Sequence, residues 1–459
     1  MGFHGNNMDR MSTNGAGPRL DRLRLVGDRL TTVGLALFAF GVWLGPAVSN
    51  LGLVLLLLVF AADPRAWRWA LASRLLWLCV VAAGFVAARA YLAAVEMPDS
   101  AEQQWKEAVR WIQLLLFGLV AWPLWQRPSR VRWAAMLAAA GLVIGTLVAL
   151  VSPEGTREAW LEGRFGGYMA KPIAFAFYAS VVLLGLAVFC GPTLMLSAKP
   201  MGGRRLALFA LLWSVLLLLT WAFLASQSRG PLLAAVAVIP LAMVWRYRIV
   251  AWMAGVGRGG VLIGGVLLAL LLAVLVSPQM DRVQGEAGAI FAIVEQGLDS
   301  TPLNSATLRL HMWEYGLRKW AERPLLGWGP GSVEPLLAAS GQHALNYLGQ
   351  PWDHLHNAYV QVLLTLGAVG ALLFLGIVAG LLRSLWQRYR AGEVGREETI
   401  FLVCNFLLIA IYSITDFRHL NPDWRMYWLL LAGMTFALGR GASEPARAYS
   451  AADAPLTAR

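Results

Sequence analysis

Residues 351–367 read PWDHLHNAYVQVLLTLG. The chain holds six His among 459 residues, and two of them, His354 and His356, stand here between Asp353 and Asn357. An imidazole at the mouth of an apolar helix can serve as a general base if it stays neutral. His356 falls at the helix start, where the positive end of the dipole lowers its pKa and keeps it neutral. An H-x-H pair beside a carboxylate can also hold a metal. Against a metal, no further His, Cys or acidic cluster of ligand spacing lies nearby in the sequence, and no D-x-D is present for a metal–nucleotide complex. A lone His is more often structural, so the base reading rests on position rather than residue type.

Three arginines stand in similarly polar settings. Arg229 lies in ASQSRGP, where Gly230 and Pro231 turn the chain and Ser226, Gln227 and Ser228 make the site polar. A fixed guanidinium there suits a phosphate; the alternative is an Arg snorkelling to headgroups. Arg164 lies in LEGRFGGYMAKP, where three glycines within five residues permit close approach of backbone to a ligand, and Lys171 follows at the next helix entrance. An ordinary flexible turn explains that spacing as well. Arg309 lies in NSATLRLHMWEYGLRKWAERPLLGWGPGS. The spacing of Leu308, Met312, Trp313, Leu317 and Trp320 predicts an amphipathic helix from Ser305 to about Ala321, ended by Pro324. A cation in its first turn is not favoured by the dipole, which points to an anionic partner, with a solvated Arg as the alternative. GWGPGS lacks the Lys-Ser/Thr ending of a Walker loop.

The elements that must position these groups are membrane spans. Apolar residues make up 58% of the chain and charged residues 14%, against about 25% in soluble domains. Twenty-one Trp suit rings at membrane interfaces. Cys79, Cys190 and Cys404 lie in or at the end of apolar runs and read as packing. With a ruler of about 20 apolar residues, twelve spans are expected, near 30–47, 49–63, 75–92, 108–126, 132–152, 171–190, 206–226, 230–246, 259–277, 357–382, 398–415 and 425–439. The chain so divides into a cytoplasmic arm (1–29), nine spans (30–277), a long outer loop (278–355), three spans (356–439) and a cytoplasmic tail (440–459). No signal-peptide layout is seen in the arm, whose LDRLRLVGDRL end suits the membrane surface.

This alternation places 24 of the 38 Lys and Arg on the side of both termini and 17 of the 26 Asp and Glu on the other. Every segment with chemical interest then lies outside. The net charge of +12 needs no nucleic acid to explain it; membrane lipids are the expected contact.

Taken together, these motifs resemble the O-antigen ligase family of Gram-negative bacteria, within the O-antigen ligase/polymerase superfamily. His356 and Asn357, nine further residues and Gly367 match the family's H-N-x9-G helix start. Arg309 and Trp313, then Pro324 and GWGPGS, match the long loop, and Arg164 and the Ser228–Gly230 triplet match two further elements. MAKPIAFA departs from the Asn-Pro-Asn type signature of many relatives. The resemblance implies an all-α polytopic protein of about twelve spans with GT-C-type architecture and a partly helical periplasmic loop, in the inner membrane.

It also implies an inverting, metal-independent glycosyltransferase without a cofactor. Such an enzyme moves polysaccharide from undecaprenyl diphosphate to a sugar hydroxyl of lipid A–core. The residues agree with that chemistry. A diphosphate leaves without a strong acid, fixed arginines neutralise its developing charge, and one base takes the acceptor's proton. His356 is the expected base, and Arg164, Arg229 and Arg309 the expected diphosphate ligands. Arg89, Lys171, His354, Asp353, Asn357 and Trp313 are expected substrate contacts. The alternatives are an O-antigen polymerase or a protein oligosaccharyltransferase of the same superfamily. A lipid or solute transporter is disfavoured, because the span interiors hold almost no charge and no repeat is seen.

Overall fold

The computed structural model describes residues 18–153, 164–169, 171–190, 202–247, single positions between 288 and 301, 303–341 and 352–440. The expected ninth span, 259–277, lies outside the described residues. Those described fold into helices, with no strand among them. In chain order these are α1 (Pro18–Leu44), α2 (Pro46–Ala62), α3 (Pro64–Leu71), α4 (Arg74–Glu96), α5 (Ala101–Gln113), α6 (Phe117–Gln126) and α7 (Ser129–Val151). Then come α8 (Pro172–Gly185, continued by a π-helical turn to Cys190), α9 (Gly203–Ala225), α10 (Arg229–Tyr247), α11 (Ser305–Glu322), α12 (Val333–Ala338), α13 (Ala358–Arg390), α14 (Arg396–Tyr412) and α15 (Pro422–Arg440).

Eight of the described helical stretches are long and apolar enough to cross a membrane. The bent pair α2–α3, turning by 89°, makes a ninth if counted as one span. The expectation of twelve is therefore met only in part. α14 and α15 stand at the eleventh and twelfth expected positions, but α14 has only 17 residues, and α15 carries Asp423, Arg425 and Arg440, which lower its apolar character.

α1 packs on α2 and α7, α15 on α6, α14 on α10, and α13 on α4 and α15. Aromatic rings fill the middle: Phe177 and Tyr178 of α8 stack against Tyr412, Trp424 and Tyr427 at centroid distances of 4.7–5.7 Å. Charged groups collect at the two ends of the bundle. At one end Arg132 and Arg246 both pair with Glu397, and Arg127 and Arg130 with Asp28. The other end holds the motifs of the sequence analysis.

α13 is not the uninterrupted span expected. It breaks at Gly367, where φ 64° and ψ −171° suit glycine alone. The carbonyls freed by the break accept hydrogen bonds from the loop after α11. Trp328 N donates to Leu364 O (2.8 Å) and Gly329 N to Thr365 O (2.9 Å). In the other direction Ala368 N donates to Pro324 O (2.9 Å) and Val369 N to Leu325 O (3.1 Å). Gly327 must also be glycine: a Cβ there would stand 2.6 Å from Gly367 N. Residues 324–329 and 364–369 are thus a backbone splice that seats the loop on the span.

Candidate functional site

α11 begins at Ser305 because Asn304 caps it, accepting from Ala306 N (2.8 Å) and Thr307 N (3.0 Å), while Thr307 Oγ1 accepts from Asn304 N. Met312 and Tyr315 are buried against Leu336, Leu337, Leu355, Val360 and Leu364. Arg309 is the fifth residue of α11, one turn further in than expected. Trp313 Nε1 donates to Leu355 O (3.1 Å), which fixes α11 against the H-x-H segment.

α10 begins at Arg229, with Gly230 and Pro231 inside its first turn. The chain reverses three residues earlier than expected, at Gln227, whose φ is 49°. Gly230 is needed for a different reason: a Cβ there would collide with Thr415 Oγ1, in the turn between α14 and α15. Arg164 is held beside them because Phe165 N donates to Ala225 O at the end of α9 (3.0 Å).

These segments enclose a cavity of about 320 Å³. Arg164, Arg229 and Arg309 all line it, with Gln227, Ser228, Ser305, Thr415 and Asp416. The three arginines that sequence spacing singled out come from three separate elements and meet in one place. With a single carboxylate among the lining groups, the cavity is strongly electropositive and suits a phosphate-bearing ligand.

Asp416 is the residue that sequence reasoning missed. It is buried, and Oδ2 accepts from Tyr412 OH while Oδ1 accepts from Phe417 N (2.8 Å). His356 Nδ1 stands 3.4 Å from Asp416 Oδ1, and His354 Nε2 stands 3.7 Å from the same oxygen. His354 Nδ1 hydrogen-bonds Asp353. The two imidazoles are 4.1 Å apart, and Trp352 lies edge-on to His356 at 5.5 Å. Nothing near Asp416 in the sequence marks it; only the return of the chain at Ser413–Asn421 brings it here. Ala358 N donating to Ser413 O (2.9 Å) ties the two segments.

The cluster has a defined charge state. Burial would lower the pKa of His354, but hydrogen bonds and charge from Asp353 and Asp416 outweigh it and hold it up to about 9. Burial alone would raise that of Asp416; both imidazoles and Tyr412 hold it well below the usual carboxylate range. His356 is lowered by burial, opposed by Asp416 and reinforced by His354 and Arg309. At neutral pH the cluster is therefore a cationic His354, an anionic Asp416 and a neutral His356. Burial and two cations, His354 and Arg309, support that neutrality. One donor atom from each of His354, His356 and Asp416 lies within 4.8 Å of the others, the spacing of metal ligands. The third donor that the sequence lacks locally comes from 60 residues on.

The other expected contacts stand elsewhere. Arg89 is buried at the loop splice and donates to Leu326 O (3.2 Å), Gly327 O (3.0 Å) and Glu96 (3.3 Å). Asn357 caps α13, accepting from Tyr359 N (2.9 Å) and Val360 N (3.1 Å). Lys171 occupies the position before α8 and is exposed, outside the cavity lining.

Residues 213–375 match the sequence profile of the O-antigen ligase family, which bears out the resemblance over that stretch. Curated relatives named "Putative polysaccharide ligase" include one from Rickettsia conorii, 31% identical over 172 residues, covering 37% of this chain and 36% of the relative. One from Rickettsia felis is 24% identical over 186 residues, covering 37% and 43%, and one from Rickettsia bellii is 28% identical over 129 residues, covering 27% and 29%. The chain thus spans less than half the length of each of these relatives.

Proposed function

Taking residues 213–375 as an O-antigen ligase domain, we propose that the chain transfers polysaccharide from undecaprenyl diphosphate to a sugar hydroxyl of lipid A–core, at the periplasmic face of the inner membrane. The observation that carries this reading is the convergence of Arg164, Arg229 and Arg309 on one cavity whose wall includes Asp416, the partner of His356.

In this mechanism the donor's diphosphate lies among the three guanidinium groups. Asp416 Oδ1, 3.4 Å from His356 Nδ1, favours the tautomer protonated at Nδ1, which leaves the lone pair on Nε2. Nε2 takes the proton of the acceptor hydroxyl as its oxygen attacks the anomeric carbon opposite the diphosphate. The carbon–oxygen bond to the diphosphate breaks, and configuration inverts. Charge developing on the leaving diphosphate is met by arginines already in place, so little reorganisation is needed. A diphosphate is a good enough leaving group to need no metal and no strong acid. Arg89 has a positioning role, because it grips the loop that carries Arg309.

The test is a reconstituted transfer assay with purified protein, lipid-linked polysaccharide and lipid A–core. His356→Ala should lower kcat by about 10²–10⁴-fold, and Arg309→Ala by about 10²–10³-fold. Full transfer by a folded His356→Ala protein sinks the base assignment. Elongation of the lipid-linked glycan without lipid A–core would identify a polymerase instead.

A further inference from the structure

The ligase mechanism uses Asp416 and one nitrogen of His356. It leaves unexplained why His354 is placed within reach of the same carboxylate oxygen, and why Asp353 grips its far side. We propose that His354, His356 and Asp416 form a binding site for a divalent cation of the zinc class, and that occupancy of this site silences the transferase. The silencing rests on the assignment of His356 as base; the binding does not.

The geometry is that of a three-ligand zinc site. Metal–nitrogen and metal–oxygen bonds of about 2.0–2.1 Å at tetrahedral angles put neighbouring donor atoms about 3.3 Å apart. The two edges meeting at Asp416 Oδ1 are 3.4 Å and 3.7 Å. The third edge is within 4.8 Å. His356 Nδ1 is buried without a hydrogen-bond partner of good geometry, which is the condition of a donor awaiting a stronger one.

The outer groups fit too. A metal-bound imidazole commonly donates its other N–H to a carboxylate, and a metal-bound carboxylate is itself hydrogen-bonded. Here Asp353 accepts from His354 Nδ1, and Tyr412 OH donates to Asp416 Oδ2. Two imidazoles and one carboxylate favour a borderline cation such as Zn²⁺ or Co²⁺ over Mg²⁺ or Ca²⁺, which prefer oxygen donors. Asp416 also lines the arginine cavity, so the site borders the space a substrate would occupy.

Silencing follows at the level of atoms. A metal on Nδ1 takes that nitrogen's lone pair, and the imidazole's remaining proton moves to Nε2. Nε2 then has no lone pair to accept the acceptor's proton.

The experiment uses the full chain in detergent, without a polyhistidine tag, stripped with chelator and dialysed. Zn²⁺ is titrated calorimetrically in excess Mg²⁺, Co²⁺ binding is followed by its visible spectrum, and transfer is assayed across the same Zn²⁺ range. The expected result is one Zn²⁺ per chain, an intense low-coordinate Co²⁺ spectrum, and inhibition with a midpoint at the binding constant. Asp353→Asn should weaken Zn²⁺ about tenfold, and His354→Ala should abolish the Co²⁺ spectrum. No saturable site in the wild-type protein, or unchanged binding in His354→Ala, overturns the site. Binding without inhibition, or stimulation by Zn²⁺, overturns the silencing and leaves the site standing. Failure of the ligase reading itself shows separately, as full transfer by metal-free His356→Ala.

Discussion

His356 has φ 52°, and Gln227 across the cavity wall has φ 49°. They are the two non-glycine residues with positive φ among those described. Such a backbone costs an L-residue of order 1–3 kcal/mol and persists only where surrounding structure enforces it. At position 356 the enforcement is visible on both sides. Leu355 N donates to Gln361 Oε1 (2.8 Å), and Asn357 caps α13. The strain aims the imidazole at Asp416. Glycine would relieve it, whereas alanine would keep it, so His356→Gly should be more stable than His356→Ala by about 1 kcal/mol and melt at the higher temperature, with transfer lowered in both. Equal melting of the two variants would mean that the position is unstrained.

The ion pair beside His356 gives a pH dependence. The folded pKa of His354 is raised from 6.5 to about 9. A raised pKa stabilises the fold fully below the unfolded value and ceases to do so as pH climbs through the folded one. Asp416, held low, limits the same interaction on the acid side, below its ordinary value of 3.8. Thermal stability contributed by the pair should therefore be greatest between about pH 4 and 6.5 and fade toward pH 9. The His354→Gln protein should lose that decline; a parallel decline in both proteins would assign it to other groups. At this scale motif spacing marked Arg164, Arg229, Arg309 and His356. It could not mark Asp416, because a lone Asp in SITDFRHLN has no spacing relation to the H-x-H pair and is brought there by tertiary structure alone.

At the scale of elements, the loop splice decides where Arg309 sits. Besides the Trp313 bond and its buried face, α11 is held at the cavity by the bonding of 324–329 to the break at Gly367, and Arg89 and Arg323 hold the same turn through Glu96. The amphipathic helix was legible from its apolar spacing, and the structure places it at Ser305–Glu322. The break in α13 was not, because hydropathy runs on through Gly367 and registers nothing of a φ that only glycine tolerates. Gly367→Ala tests the splice. A Cβ there would meet the backbone of Leu325 and Gly327 at the same time as the backbone is strained. The variant should lose about 2 kcal/mol or more and should release the loop. Hydrogen exchange should then rise at Trp328 and Gly329, and transfer should fall while His356 is intact. Unaltered exchange at those two amides would show that the splice does not govern the loop.

At the scale of the whole molecule, the charged groups separate into two sets, one at each end of the bundle. Residues 368–390 of α13 rise about 1.5 Å each, or about 35 Å, which crosses a hydrocarbon core of about 30 Å without help from the segment before Gly367. That leaves Ala358–Leu366 at the level of the cavity and Arg390 at the end where Arg132 and Arg246 meet Glu397. The short turn at Pro98–Ser100 belongs to the cavity end, because Glu96 beside it pairs with Arg323 of the loop. Arg388, Arg390 and Arg396, among the basic residues expected on the cytoplasmic side, stand at the opposite end. Asp99 and Glu393 are both exposed and should face opposite sides of the membrane. In a background lacking Cys79, Cys190 and Cys404, Asp99→Cys should react with an impermeant maleimide in intact spheroplasts, and Glu393→Cys only after permeabilisation. The reverse pattern would put the arginine cavity in the cytoplasm, away from lipid A–core presented at the periplasmic face, and would remove the proposed acceptor along with the proposed side.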